Sequence, residues 1–281
     1  MANPSVSFVC EDTILVSYPK SGRTWLRMML AKILKDTGMD TNKNEMILCV
    51  HKNYDDLIRI HGNRKKIIFL IRDPGDIVVS QYRELESNNL FSGPKPTISR
   101  FIRGVYIKSG SRGTGGVPAS KDGVRRFGIH EIINYMNEWF SEFRYIKDYK
   151  IITYEEMKEN THSVLNEVIQ FVGYKCDKKH IDAAIEYGSF SNMKMIEQGE
   201  IDKNCLRIDL KSMIPKAKDD PNLLRGYKGN FGKGKKASRI RKGKIGSYRE
   251  ELHNVDVSYI DAIKKAYLRL PLTITTRGIT Y

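Results

Sequence analysis

The chain has 281 residues and a formal net charge of +15, with 48 lysines and arginines against 33 aspartates and glutamates. That length supports one large core, and no linker-like stretch interrupts the middle, so a single domain over 1–281 is expected. Four cysteines, at 10, 49, 176 and 205, share no CxxC or metal-ligand spacing, and no apolar run reaches a membrane span or a signal-peptide core. A disulfide scaffold, a cysteine-held metal and a transmembrane segment are thereby excluded, and a cytoplasmic protein with reduced thiols is expected.

The first predicted element is a strand over 13–17, short and rich in Ile, Leu and Val, which stops at Tyr18-Pro19. After the next turn, Trp25, Met28, Met29, Ala31 and Ile33 lie near one face of a helix. Strands are predicted again over 46–50 and 67–71, each brief, apolar and bounded by polar or Pro/Gly breaks. Ile77, Val78, Tyr82 and Leu85 mark a second helix. The glycine-rich stretch 108–128 predicts a mobile loop or lid. A strand over 150–153 leads into Thr153 and Glu156, spaced as a capping box, ahead of a helix through Val172. Residues 199–246 show little regular periodicity, and Ser247 and Glu250 repeat the capping-box spacing before a helical C-terminal region. Short buried strands alternating with helices predict an α/β fold: a central, mainly parallel sheet flanked by helices on both faces.

Between 221 and 249 stand ten lysines or arginines and no acid. Such a block predicts an anionic partner, whether nucleic acid, a membrane surface or a small phosphorylated or sulfated ligand, or else a solvated disordered loop. The turn Tyr18-Pro19-Lys20-Ser21-Gly22-Arg23-Thr24-Trp25 carries a sharper signal. A strand ending in a glycine-containing turn that feeds a helix aims backbone N–H groups and the positive helix end at one spot. Lys20 adds a charge, and Ser21 and Thr24 add hydroxyls, a set suited to phosphate or sulfate oxygens. The nucleotide-triphosphatase loop GxxxxGK[ST] does not fit, because Lys20 precedes Gly22 and no glycine stands four residues before it.

YPKSGRTW resembles instead the 5′-phosphosulfate loop of the sulfotransferases that use 3′-phosphoadenosine 5′-phosphosulfate (PAPS). Other segments resemble that family in the same order. IIFLIRDPGDIVVSQY is similar to its 3′-phosphate segment, ITYEEMKEN…FVG and YGSFSNMK to two further motifs, and RKGKIGSYREEL to its last nucleotide signature. The resemblance implies a P-loop-like turn after the first strand that binds PAPS, with PAP as product and no metal required. It implies Lys20, Ser21, Gly22, Arg23, Thr24 and Trp25 around the phosphosulfate, and Arg72 and Ser80 on the 3′-phosphate. Tyr154 and Phe190 fall near the adenine with Trp25 as stacking partner, and Arg241, Lys242 and Gly243 fall on the 3′-phosphate. Arg23 stands where the family often has threonine, and Ser247-Tyr248 replaces Asp-Trp.

Sulfuryl transfer needs a base for the acceptor proton, and a positioned histidine suits that task at neutral pH. The family places it about twenty residues before the 3′-phosphate arginine, just past a strand, which makes His51 the candidate. Lys20 is then the group that stabilises the leaving phosphate. The usual lysine two residues before the base is absent, Cys49 standing there, and Lys52 is the open substitute. The resemblance implies transfer to a hydroxyl or amine of a small-molecule, lipid or glycan acceptor, and it weakens the expectation of a nucleic-acid partner. Two alternatives stand beside it: a polyanion-binding protein acting through 221–249, and a kinase or nucleotide hydrolase with Asp73 as metal-holding carboxylate. Acceptor identity and oligomeric state are not legible.

Overall fold

A computed structural model describes residues 13–37, 48–51, 53–61, 66–91, 93–108, 124–198 and 241–269. Four strands form one parallel sheet in the order β2-β1-β3-β6. They are β1 (Thr13–Ser17), β2 (Leu48–Val50), β3 (Lys66–Ile71) and β6 (Tyr149–Thr153). Register runs from Thr13 opposite Lys66 to Ser17 opposite Leu70, and from Ile67 opposite Tyr149 to Ile71 opposite Thr153, while Ile14 faces Leu48 on the other side. Parallel strands end together. The residues that follow Ser17, Val50, Ile71 and Thr153 therefore open on one sheet edge, the place where α/β sheets bind ligands.

Strand periodicity divides the core. Ile14, Val16, Ile67, Phe69 and Ile71 point to one face, under α3 (Pro74–Ser87) and α5 (Ile129–Glu142), where they meet Ile77, Val78, Ile133, Met136 and Trp139. Leu15, Ile68, Leu70 and Ile152 point to the other, under α1 (Arg23–Asp36), α7 (Thr161–Phe171) and α8 (Lys178–Tyr187), with Leu26, Met29, Ile33, Val168 and Ala184. Covering both faces explains why the strands read as unbroken apolar runs. The remaining helices are α2 (Tyr54–His61), α4 (Ile98–Arg103), α6 (Tyr154–Glu159), α9 (Phe190–Gln198), α10 (Tyr248–Glu251) and α11 (Asn254–Tyr267). Among the described residues no helix is long and apolar enough to cross a membrane.

Three differences from the sequence reading have physical causes. The capping box at Thr153 and Glu156 is formed in both directions, but the helix it starts stops at Asn160, whose φ of -134° and ψ of 49° separate α6 from α7. The glycine-rich stretch is bordered by an antiparallel pair, β4 (Val105–Lys108) against β5 (Val124–Phe127); residues 109–123 between them lie outside the described residues. Ser247 makes no side-chain cap: its backbone is already helical, at φ -62° and ψ -18°, and its hydroxyl donates to Asp76 at 3.1 Å, a partner 171 residues away. Although adjacent in sequence, Arg72 pairs with Asp76, and Asp73 with Lys264. Most of the basic block, 221–240, and Lys52 lie outside the described residues.

Candidate active site

The turn after β1 is held in a shape few residues adopt. Lys20 has φ 76° and Gly22 φ 95°, so the backbone curls left-handed twice within three residues. The Trp25 and Leu26 amides bond back to the Gly22 carbonyl at 3.0 and 3.3 Å, starting α1 immediately. The first amides of that helix face the sheet edge with the helix dipole behind them. Ser21 is fully buried, and its Oγ has no hydrogen-bond partner among the described residues. A buried, unpaired hydroxyl in such a turn is costly unless a ligand oxygen completes it.

Arg72 follows β3 and organises the neighbouring pieces. Its guanidinium donates to the Lys20 carbonyl at 3.4 Å and to the Lys244 carbonyl at 3.1 Å, and it meets the Asp76 carboxylate at 3.3 Å. It also lies 4.2 Å from the ring centre of Tyr154, the residue after β6. Asp76 in turn accepts from the Gly246 amide at 2.9 Å, the Tyr248 amide at 3.1 Å and the Ser247 hydroxyl. One buried carboxylate thus ties the 243–248 turn to the start of α3. Sequence reasoning missed it; its signal was an acid in the first turn of a helix after an Arg-bearing strand end.

The aromatic residues close on the same place. Trp25 and Tyr154 meet edge to face, with centroids 5.8 Å apart. A Cβ on Gly22 would stand 2.5 Å from Tyr154 Cδ2, and one on Gly243 would stand 3.0 Å from Phe190 and 3.8 Å from Tyr154 Oη. Residues from five separated segments, 18–25, 72–76, 154, 190 and 241–248, therefore meet at one place. Ser80 lies half-buried on α3 between Asp76 and Glu84, one turn from each, on the face turned to Arg72 and Lys20. Thr24 is exposed on the first turn of α1. Arg241 and Lys242 share the Gly243 turn, but their charged ends reach Glu251, Lys242 at 3.2 Å.

His51 stands at the end of β2, across the turn from these residues. Its Nδ1 lies 2.6 Å from the Ser17 carbonyl, an acceptor only, so Nδ1 carries the proton and Nε2 keeps its lone pair. Burial holds its pKa well below the ordinary histidine value, and the positive charges of Arg23, Arg27 and Lys20 push the same way, against the Ser17 bond. The ring is thus neutral, with a basic nitrogen free for proton transfer. The Lys20 amine is 3.0 Å from Glu84 on α3.

A family model described as "Sulfotransferase domain" matches residues 39–270, and the chain belongs to that family. The matched span begins after the 18–25 turn, whose part in the site rests on its own geometry. Among curated proteins, the chain is similar to 3-beta-hydroxysteroid sulfotransferase of Cavia porcellus, at 23% identity over 209 residues, 66% of each chain. Sulfotransferase 2A6 of Rattus norvegicus is 25% identical over 214 residues, covering 66% of this chain and 67% of its own. Among solved structures, mouse sulfotransferase SULT7A1 complexed with PAP superposes with a TM-score of 0.60 at 19% identity, over 95% of this chain and 88% of its own. Retinol dehydratase with retinol and PAP gives 0.58 at 14% identity, over 97% and 84%. These likenesses establish the sulfotransferase fold.

Proposed function

We propose that residues 1–281 work as one domain that transfers a sulfuryl group from PAPS to a hydroxyl or amine of an acceptor, releasing PAP. The observation that carries this reading is the convergence of Tyr154 and Phe190, packed against the bare Cα atoms of Gly22 and Gly243, with the buried Ser21 hydroxyl, unpartnered among the described residues, and Arg72. PAPS supplies an activated sulfuryl group on a phosphate leaving group. Ser21, Gly22, Arg23 and Thr24 offer amides and hydroxyls to its 5′ end, while Trp25, Tyr154 and Phe190 supply flat apolar surface for the base. Arg72, Ser80, Arg241, Lys242 and Gly243 form the 3′-phosphate side. His51 takes the acceptor proton at Nε2, and Lys20 offers its amine to the charge that grows on the leaving phosphate. The steroid and retinol in the names of similar proteins favour a small-molecule alcohol as acceptor.

The kinase or hydrolase alternative needs a carboxylate to hold a metal. Asp73 is committed elsewhere: it accepts from the Gly75 amide at 2.7 Å, caps α3 and pairs with buried Lys264. Incubating the protein with PAPS and a pool of hydroxylated steroids, phenols and retinoids, and reading product masses, tests the transfer. Acceptor-dependent release of PAP with one added sulfuryl group is expected. Nucleoside triphosphate turnover with no sulfated product would favour the alternative.

A further inference from the structure

The Lys20 amine, expected to meet the leaving phosphate, is held by a carboxylate of the protein itself. Lys20 Nζ lies 3.0 Å from Glu84 Oε2, and the two side chains are only 13% and 17% exposed. Glu84 projects from α3 one turn past Ser80 and two past Asp76, on the face turned toward the site. Around it stand a helix N-terminus, the Ser21 hydroxyl without a partner among the described residues, Arg72 and the positive charges near His51, all suited to an anion, and Asp76, the carboxylate nearest them, is taken up by Arg72 and the 246–248 amides and hydroxyl. A carboxylate in that company needs a reason, since it lowers the positive potential a phosphosulfate would meet.

We propose that Glu84 is a positioning residue for Lys20, an internal anion that competes with the donor nucleotide for its amine and so sets nucleotide affinity and release. This rests on the sulfuryl-transfer reading above. With no nucleotide, Glu84 keeps Lys20 against α3. When the nucleotide arrives, the amine is drawn to its phosphate oxygens and the pair loosens; when the product leaves, Glu84 takes the amine back. The pair is partly buried, so its competition is modest and reads as a several-fold change in affinity.

Calorimetric titration with PAP in EDTA at fixed ionic strength tests this on wild type, Glu84→Gln, Glu84→Asp, Lys20→Met and the Lys20→Met/Glu84→Gln double variant. Glu84→Gln should tighten PAP binding about three- to tenfold and slow its dissociation. Glu84→Asp, which keeps the charge, should stay near wild type. In the Lys20→Met background, Glu84→Gln should gain less than about twofold, because the competed amine is gone. A loss of packing alone would weaken binding, not tighten it. Unchanged or weaker binding by Glu84→Gln, or equal tightening without Lys20, would overturn the role. Wild type that binds no PAP would overturn the donor reading itself, whereas wild-type binding with a neutral Glu84→Gln would overturn only the part given to Glu84.

Discussion

The His51 ring donates from Nδ1 to the Ser17 carbonyl at 2.6 Å, binding the end of β2 to the end of β1. That bond fixes the tautomer, and burial, joined by the positive charges of Arg23, Arg27 and Lys20, favours the neutral ring. A base held in this way is ready at pH values where a free histidine is partly protonated.

The acid limb of kcat/KM should therefore fall below pH 6.5, the ordinary histidine value, with activity level from there to pH 8. His51→Ala should reduce turnover by about 10²–10⁴, with PAP affinity nearly constant. Steady-state rates across pH and PAP titration of the variant check both. An acid limb centred at or above 6.5, or wild-type turnover in the variant, speaks against the assignment.

Gly22→Ala should damage nucleotide binding more than folding. At φ 95° a side chain is strained, and its Cβ would stand 2.5 Å from the Tyr154 ring, which must move from beneath Arg72. The backbone strain costs about 1–3 kcal/mol, and PAP affinity should drop by an order of magnitude or more. Thermal melts and PAP titration separate the two effects.

Asp76→Ala removes one carboxylate that serves Arg72, Gly246, Ser247 and Tyr248. Losing one partner of a buried ion pair costs about 3–5 kcal/mol. Denaturant unfolding should register that loss, with PAP affinity falling because Arg72 and the 243–248 turn are no longer held in register. Asp76→Asn, which keeps one acceptor oxygen, should lie between. Wild-type stability in Asp76→Ala would contradict the structural role.

Glu155 gives the fold a pH signature. Burial raises its pKa from 4.5 to about 7, with one oxygen accepting from the Asp73 amide at 3.0 Å and the other buried without a partner among the described residues. The folded value exceeds the unfolded one, so the carboxyl's contribution is fully present below pH 4.5 and is lost as pH rises through about 7. Unfolding midpoints should decline across that window. Glu155→Gln should flatten the decline and raise stability at pH 8 by about 1–3 kcal/mol. A wild-type slope retained in the variant would place its source elsewhere.

What the sequence disclosed follows the range of the forces involved. The strands over 13–17 and 67–71 were legible because parallel strands buried on both faces leave continuous apolar runs, and the structure places them at Thr13–Ser17 and Lys66–Ile71. The Thr153 capping box was legible because both partners lie within one turn. Ser247 has the same local spacing, yet it is held in helical backbone geometry with its hydroxyl donated to Asp76, and a partner 171 residues away leaves no local trace. The Lys20–Glu84 and Arg241–Glu251 pairs were hidden for the same reason. The convergence of Lys20, Arg72, Tyr154 and Gly243 was expected only through resemblance to a family; nothing in their spacing dictated it.

The most direct test of the central claim is PAP binding by the purified protein in EDTA, followed by the shift in its thermal midpoint. A ligand that binds only the folded state stabilises it by mass action, about 2.7 kcal/mol at a hundredfold excess over its dissociation constant. The site predicts a clear rise with PAP and a smaller one with adenosine 5′-phosphosulfate, which leaves Arg72, Ser80, Arg241 and Lys242 without a 3′-phosphate. An unchanged midpoint at millimolar PAP would contradict the account.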